Sequence, residues 1–217
     1  MLTTLMMIAT LVQVADQANQ AYKTPEQRKT IAQRLTAPDR DAKQKPKELV
    51  KALGLKPGQT VADLGTGVGY LLPYLSEAVG GNGLVLAQDI FPDFLAKARA
   101  TAETEKLNNV RFLMGSTTDP KLPVNSCDVI LILDAYHHFD YPAKMLARIK
   151  VALKAGGRLA LVDYYKRPGA MVGGDAVNHI RLDMDDVIKE VEAEGFKAGA
   201  REEHIPKSQY LVFFTVR

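Results

Sequence analysis

The sequence predicts an α/β protein. The expected fold is a three-layer sandwich in which helices cover a seven-stranded, mostly parallel sheet and an antiparallel hairpin supplies the last strands. Short apolar runs alternate with amphipathic segments from residue 60 to residue 162, which is the order typical of a parallel sheet. Two further strands are predicted over residues 197–205 and 209–216, and the short Pro-Lys-Ser connection between them favours an antiparallel hairpin.

Size and composition indicate one globular domain and leave room for a small appendage. The chain has 217 residues, which is enough to bury a substantial core. Its formal net charge of +3 is too small to argue for a nucleic-acid partner, and none is expected. Cys127 is the single cysteine, which excludes an internal disulfide framework and a cysteine-based zinc site. We expect Cys127 to be a small buried side chain.

The N-terminal segment allows more than one interpretation. Residues 2–14 are mostly apolar but are too short to cross a bilayer comfortably. They resemble the apolar part of a secretory signal, although no Lys or Arg precedes them, and residues 18–21 are the best candidate cleavage region. A cytoplasmic protein is the favoured prediction. Export, or membrane association through this segment, is the alternative, and a packed helix would explain the pattern equally simply.

Residues 22–47 are polar and basic. Thr24 followed by Pro25 predicts a helix start, and Ile31 and Leu35 give that helix only a thin apolar stripe. We expect a solvated lid; a surface for an acidic substrate or an anionic membrane is the alternative. The sequence therefore predicts an N-terminal extension over residues 1–44 and a main domain over residues 45–217.

Within the main domain, periodicity and turn residues define the elements. Helices are predicted where apolar residues recur every three or four positions, and glycine-rich turns end them. The predicted strands are residues 60–64, 84–87, 110–114, 128–133 and 158–162. The predicted helices are residues 46–53, 70–79, 92–107, 141–153 and 183–193. Because the fourth strand is one continuous apolar run, we expect helices on both faces of the sheet.

A glycine-rich turn follows the first predicted strand, with the pattern Asp-x-Gly-x-Gly-x-Gly from Asp63 to Gly69. Such a turn lets backbone N–H groups approach a ligand, and ligands of these sheets bind where the strand order reverses. A P-loop is excluded because no lysine lies between Lys56 and Lys97. A dinucleotide fingerprint is strained, since Tyr70 stands where the third small residue belongs.

This stretch resembles the first motif of the class I S-adenosylmethionine-dependent methyltransferases. The resemblance covers about residues 45–217 and is strongest over residues 61–162. It implies a Rossmann-like sandwich and S-adenosylmethionine as the cofactor. It also implies that Asp63 lies near the cationic amino group of the cofactor. The residues expected to approach the ligand closely are Gly65, Thr66, Gly67 and Gly69.

The same resemblance implies which residues bind the adenosine end of the cofactor. Asp89 ends the second predicted strand and can accept hydrogen bonds from both ribose hydroxyls, and Ile90 would pack on the adenine face. The family often has an aspartate after the glycine that ends the third strand. Here Ser116 and Thr117 follow Gly115, so a hydroxyl or backbone group must contact the adenine amino group.

The fourth predicted strand ends beside the transferred methyl group in this family. Asp134 is expected at the amino acid end of the cofactor or at the substrate entrance. His137 or His138 could act as a base if the acceptor must lose a proton, since an unperturbed imidazole has a pKa of about 6.5. The alternative is that both histidines only line the cleft. Asp163, Tyr164 and Tyr165 are a possible wall of the acceptor pocket or simply pack on the following loop.

No metal site is predicted. Adjacent histidines such as His137 and His138 rarely face one ion, and no further ligand cluster is evident in the sequence. His179 and His204 lie far along the chain and are expected to be surface residues.

The absence of certain motifs restricts the class of methyl acceptor. The Asn/Asp-Pro-Pro-Tyr/Phe motif of amino-group methyltransferases is absent from the end of the fourth strand, and no Pro-Cys nucleophile exists. The chain looks similar to the quinone and small-molecule branch, so the expected acceptor is a small molecule, lipid-like acceptors included. An NAD-dependent oxidoreductase and a non-catalytic cofactor-binding module remain as alternatives. Oligomeric state is not predicted.

Overall fold

A computed structural model describes residues 14–217 as a seven-stranded mixed sheet between two helical layers. The strands are β1 (Thr60–Leu64), β2 (Leu84–Asp89), β3 (Val110–Met114), β4 (Cys127–Leu133), β5 (Leu153–Tyr164), β6 (Phe196–Ile205) and β7 (Gln209–Val216). Their order across the sheet is β3-β2-β1-β4-β5-β7-β6. Strands β1 to β5 are parallel, and β7 runs antiparallel to both β5 and β6. The predicted fold class is therefore confirmed.

The helices connect the strands and cover both faces of the sheet. In chain order they are α1 (Asp16–Asn19), α2 (Pro25–Leu35), α3 (Arg40–Gln44), α4 (Pro46–Leu53), α5 (Leu72–Val79), α6 (Pro92–Thr104), α7 (Pro142–Ala152), α8 (Ala176–His179) and α9 (Met184–Ala193). Helices α4, α5 and α6 pack on one face, where Leu49, Leu75 and Ala98 meet Val61 and Val129. Helices α7 and α9 pack on the other.

Alternation along the strands explains this double cover. Ile130 and Ile132 of β4 face α7, while Val129 and Leu131 face the opposite layer. Every one of these side chains is buried, as the continuous apolar run predicts. Cys127 at the start of β4 is buried and unoxidised, as expected. The chain leaves β1 toward β2 and β3 and then returns to β4, so the strand order reverses between β1 and β4.

Several element boundaries differ from the prediction, among them the starts of α5 and β5 and the ends of β2 and α6. Helix α5 begins at Leu72 because residues 67–71 form turns, with Gly69 at φ +82°. Strand β5 begins at Leu153 rather than at residue 158, since Leu153 already pairs with Cys127 across an irregular register. The predicted hairpin is confirmed: Lys207 adopts a left-handed conformation, and the Ser208 N–H donates to Ile205 O over 2.9 Å.

The first described residues form α1, a short 3-10 turn over Gln20–Tyr22, and α2. Thr24 caps α2 as predicted: its hydroxyl accepts from the Gln27 N–H, and the Gln27 side chain accepts from the Thr24 N–H. The interpretation of residues 2–14 as a signal, an anchor or a packed helix falls almost entirely outside the described residues. Among residues 14–217, no helix has the length and apolar character that crossing a bilayer requires.

Candidate active site

The glycine turn lies at the carboxyl end of β1, at the point of strand reversal. Its glycines have φ values of +83° at Gly65, +56° at Gly67 and +82° at Gly69, which side chains with a Cβ rarely adopt. The N–H groups of Gly65 and Thr66 both donate to Gln88 O, over 2.9 and 2.8 Å, and so hold the turn against β2. Because these glycines have no Cβ, the backbone of the turn can pack closely against the neighbouring residues.

Two buried carboxyl groups flank this turn. Asp63 is 3% exposed, and its Oδ2 accepts from the Thr66 hydroxyl at 2.7 Å. Asp89 is 5% exposed and accepts from the N–H groups of Gly67 at 2.9 Å and Phe91 at 3.0 Å. Burial raises the pKa of each carboxyl to about 6. The carboxylate of Asp89 keeps further lone pairs for hydroxyl donors, because its oxygens offer about four acceptor positions.

The end of β3 lies beside Asp89, since the Gly115 N–H donates to Asp89 O over 3.0 Å. Ser116 follows, and its Oγ accepts from the Asp119 N–H at 3.1 Å, which folds this loop on itself. A Cβ at position 115 would overlap the amide end of the buried Gln88 side chain, which would have to move. The structure thus brings Ser116 next to the predicted ribose-binding carboxylate, although its hydroxyl already serves the loop.

Asp134 follows β4 in a left-handed conformation, with φ of +51°. Its Oδ1 accepts from Gln209 Nε2 at 2.7 Å, and Gln209 Oε1 in turn accepts from Gln44 Nε2 at 2.9 Å. Burial raises the pKa of Asp134 to about 8 and Asp163 adds to this, whereas Arg40 opposes it. The sequence analysis missed both glutamines, which lack any local motif.

His137 is held by a buried carboxyl group. Its Nδ1 lies 2.7 Å from Oδ1 of Asp163, and its backbone N–H donates to Oδ2 of the same side chain at 3.1 Å. Burial lowers the pKa of His137 to about 3 and raises that of Asp163 to about 7. The imidazole of His137 is therefore neutral at physiological pH, which is the state that accepts a proton or binds a metal ion.

His138 meets the N-terminal segment. Its Nδ1 lies 2.9 Å from Oδ1 of Asn19, and the ring of Tyr22 contacts its ring edge to face with 4.6 Å between centroids. Burial raises the pKa of Tyr22 to about 12, and the charges of Asp89 and Asp134 act in the same direction. Tyr22 thus lies between the two ends of the predicted cofactor site.

The prediction that His179 is a surface residue is wrong. It ends α8 and is half-buried, with its ring centroid 4.9 Å from that of His137 and 5.5 Å from that of His138. His204 is also half-buried, because its Nε2 donates to Gln44 O at 2.9 Å. One signal could have identified His179: it follows the loop that leaves the carboxyl end of β5, the edge at which ligands bind.

The N-terminal extension packs against the glycine turn through one face of α2, whose other residues are mostly exposed. A Cβ at Gly67 would lie 3.2 Å from Cδ1 of Leu35. Arg28 makes a two-oxygen ion pair with Asp93 at 2.8 and 3.0 Å, which ties α2 to α6. This pair is partly buried, so it is shielded from salt better than an exposed one.

The same extension brings a cation to the site. The guanidinium of Arg40 stacks on the ring of Tyr70 at 4.6 Å, and its Nε is buried without a hydrogen-bond partner in the part of the chain described here. Next to it, Asp41 accepts from the hydroxyls of Tyr70 at 2.8 Å and Tyr74 at 2.6 Å. Tyr70, the ring that argued against a dinucleotide fingerprint, holds α3 in place.

Taken together, four buried carboxyl groups with raised pKa values line the carboxyl edge of the sheet: Asp63, Asp89, Asp134 and Asp163. Such an edge favours a ligand that carries positive charge and hydroxyl donors. A doubly wound sheet with a glycine turn at the reversal point and an acidic side chain ending the second strand defines an adenosine-cofactor-binding protein of the Rossmann-like class.

Comparison with known proteins shows which proteins this chain resembles. The sequence model described as "Methyltransferase domain" matches residues 62–161. A structure of a SAM-dependent methyltransferase from Aquifex aeolicus superposes with a TM-score of 0.80 at 29% identity, covering 87% of this chain and 98% of that one. The matched part of the chain is therefore similar to a methyltransferase domain, and the fold is similar to that of a SAM-dependent methyltransferase.

Curated relatives agree over the cofactor-binding part. The uncharacterized methyltransferase YcgJ of Bacillus subtilis is 29% identical over 136 residues, which cover 61% of this chain and 51% of that protein. The ubiquinone/menaquinone biosynthesis C-methyltransferase UbiE of Azotobacter vinelandii is 30% identical over 125 residues, covering 57% and 49%. The chain thus spans about half the length of these two relatives.

Proposed function

We propose that this protein transfers the methyl group of S-adenosylmethionine to a small-molecule acceptor, lipid-like acceptors included. The observation that carries the proposal is the pair of buried carboxyl groups, Asp63 and Asp89, on either side of the glycine turn. The cofactor carries an ammonium group, a sulfonium and two ribose hydroxyls. The carboxylates attract the positive charges and accept hydrogen bonds from the hydroxyls.

In this proposal Asp63 attracts the ammonium group, and Asp89 accepts from the ribose hydroxyls while it keeps its bonds to Gly67 and Phe91. The glycine turn lets the backbone pass close to the cofactor. Asp134 lies at the amino acid end or at the substrate entrance. The remaining cofactor-contacting positions in the turn are Gly65, Thr66 and Gly69.

The adenine base would pack on Ile90, which follows Asp89 and is only partly buried in the unliganded protein. Its exocyclic amino group would meet the loop that carries Ser116 and Thr117. The backbone hydrogen bond of Gly115 holds this loop beside Asp89. The residues proposed to contact the ribose and those proposed to contact the adenine are therefore neighbours in the structure.

Methyl transfer is a displacement. An acceptor atom attacks the methyl carbon, the carbon–sulfur bond breaks, and its electron pair stays on sulfur to leave S-adenosylhomocysteine. Positioning supplies much of the rate. Where the acceptor must lose a proton, His137 or His138 takes it on Nε2, because Asp163 and Asn19 occupy the two Nδ1 atoms.

Apolar side chains near the histidines support a small, lipid-like acceptor. Tyr164 and Tyr165 pack on a cluster formed by Ala170, Ala176 and Ile180 in the loop after β5. A relative bears the name ubiquinone/menaquinone biosynthesis C-methyltransferase, which assigns that relative to the biosynthesis of quinones. These observations favour an acceptor with an apolar ring or chain over a polar one.

The proposal predicts binding of S-adenosylhomocysteine to the folded protein in a calorimetric titration, with one site per chain and no comparable heat from NADH. Transfer of labelled methyl from S-adenosylmethionine to a panel of phenols and quinols then tests the acceptor class. Replacing both His137 and His138 with Ala should abolish transfer to an acceptor that must lose a proton, while S-adenosylhomocysteine still binds. Binding of NADH instead, or no binding of either ligand to folded protein, would refute the proposal.

Cofactor affinity is expected to fall as the pH drops below about 6. Asp63 and Asp89 have pKa values of about 6 in the unliganded protein, and a protonated carboxyl no longer attracts a cation. One pH unit below that value, each group is about tenfold less ionised, so the dissociation constant for S-adenosylhomocysteine should rise about 10- to 100-fold between pH 7 and pH 5. Calorimetry at both pH values measures this change.

The stability of the protein should change with pH in the direction opposite to that of the cofactor affinity. Because these two carboxyls bind protons more tightly in the folded than in the unfolded chain, they increase the unliganded protein's free energy of unfolding as the pH falls from about 6 toward about 4. The charged groups near these two carboxyls are Asp93, which forms an ion pair with Arg28, and, for each carboxyl, the other one.

A cofactor affinity that is unchanged between pH 7 and pH 5 would contradict the assignment of both carboxyls to the cofactor site.

A further inference from the structure

We propose that His137, His138 and His179 form a binding site for one divalent transition-metal cation of the Zn²⁺ type. One ring nitrogen of each of the three histidines lies within 4.8 Å of those of the others. In the sequence the adjacent pair lacks a third ligand, and the fold supplies His179 from the loop after β5. The site goes beyond methyl transfer, since cation binding needs neither cofactor nor acceptor.

The hydrogen bonds around the first two rings orient them as metal ligands. Asp163 Oδ1 lies 2.7 Å from Nδ1 of His137, the carboxylate–histidine arrangement that holds metal-binding imidazoles in place. The Asn19 side chain does the same for His138. With both Nδ1 atoms engaged, Nε2 is the ligand atom that each ring has left.

The orientation of Asn19 settles which nitrogen of His138 carries the proton. Asn19 Nδ2 donates to His138 O at 3.1 Å and to Asp140 Oδ1 at 3.2 Å, so its oxygen is the atom that faces Nδ1 of His138 at 2.9 Å. An amide oxygen only accepts, and Nδ1 therefore carries the hydrogen. The lone pair of His138 Nε2 is then free for a cation.

Packing of the three rings alone explains this histidine cluster less well than a metal site does. Three stacked imidazoles with centroids 4.1, 4.9 and 5.5 Å apart would be stable as neutral rings. The acceptors that face Nδ1 of His137 and Nδ1 of His138, however, direct the proton of each ring to that nitrogen, so that Nε2 keeps the lone pair that a metal ion needs.

Only a small adjustment is needed to close the site. Nitrogens bound to a tetrahedral Zn²⁺ at about 2.1 Å lie about 3.4 Å apart, so ring nitrogens within 4.8 Å of one another must approach by at most about 1.4 Å. His179 ends a helix of four residues that follows a loop with glycines at 169, 173 and 174. A short helix on a glycine-rich loop can supply that movement, while β4 and β5 keep His137 fixed.

The donor set defines the cation. Three neutral imidazoles suit Zn²⁺, Co²⁺, Ni²⁺ or Fe²⁺, whereas Mg²⁺ and Ca²⁺ require oxygen ligands. Three protein ligands leave one position open. If the proposed function holds, that position lies where an acceptor hydroxyl would bind, and the cation would lower the pKa of that hydroxyl in place of an imidazole base.

The test uses the full-length protein without a histidine tag, stripped of metal and titrated with Zn²⁺ against a chromophoric chelator. We expect one equivalent to bind with micromolar or tighter affinity, and Co²⁺ to give the intense visible absorption of a tetrahedral site. His179→Ala should weaken binding at least about 100-fold, and Asn19→Ala about tenfold. His204→Ala is the matched control and should bind the metal as the parent does.

The same variants are titrated with S-adenosylhomocysteine, and their thermal unfolding is recorded. His179→Asn replaces His179→Ala if the latter fails to fold. Equal Zn²⁺ affinity in the parent and the folded His179 variant would overturn the metal site, and so would an equal loss in His204→Ala. Retained S-adenosylhomocysteine binding in that case would leave the proposed function intact.

Discussion

Asp89→Ala is expected to raise the dissociation constant for S-adenosylhomocysteine at least about 100-fold. The substitution removes the acceptor proposed for both ribose hydroxyls, together with the bonds that fix the N–H groups of Gly67 and Phe91. Hydrogen bonds to a charged group contribute about 1.5–3 kcal/mol each, and about 2.7 kcal/mol already corresponds to 100-fold. Calorimetric titration of the folded variant measures the loss.

Asp185→Ala is the matched control for this change. Asp185 is an exposed carboxylate in the first turn of α9, and its contact with Arg201 at 3.4 Å contributes little to stability. We expect the parent affinity in this variant. Near-normal binding by a folded Asp89→Ala protein would show that another group holds the ribose.

Gly69→Ala is expected to lower the free energy of unfolding by about 2–5 kcal/mol. A Cβ there would lie 2.8 Å from Cδ1 of Leu72 and 3.0 Å from Cα of Ala98. The left-handed backbone, with φ of +82°, adds a cost of about 1–2 kcal/mol for any residue with a Cβ, and overpacking adds about 1–3 kcal/mol. Urea unfolding monitored by circular dichroism measures the sum.

Gly58→Ala separates the two causes. Gly58 has nearly the same conformation, with φ of +85°, but a Cβ there meets nothing within 4 Å. Its cost should be about 1–2 kcal/mol, from backbone strain alone. If both variants lose the same stability, the close approach between the glycine turn and α6 is not what requires glycine at position 69.

The N-terminal extension shows where sequence reasoning reached its limit. Its capping box at Thr24 is a local pattern and was predicted correctly. The docking of α2 and α3 on the site was not, because it depends on single long-range contacts such as Arg28 with Asp93 and Leu35 with the glycine turn. A thin apolar stripe does not indicate which surface it will meet.

The sequence by itself determined the fold class, the cofactor class and the placement of Asp63 and Asp89. These features are readable because strand and helix periodicity is local, and because the carboxyl ends of parallel strands meet at one edge. Only the tertiary structure decided which distant residues complete that edge. His179 joins His137 and His138 there, and Asn19 reaches His138 across 119 positions, since loop ends that carry no periodic signal are brought together by packing alone.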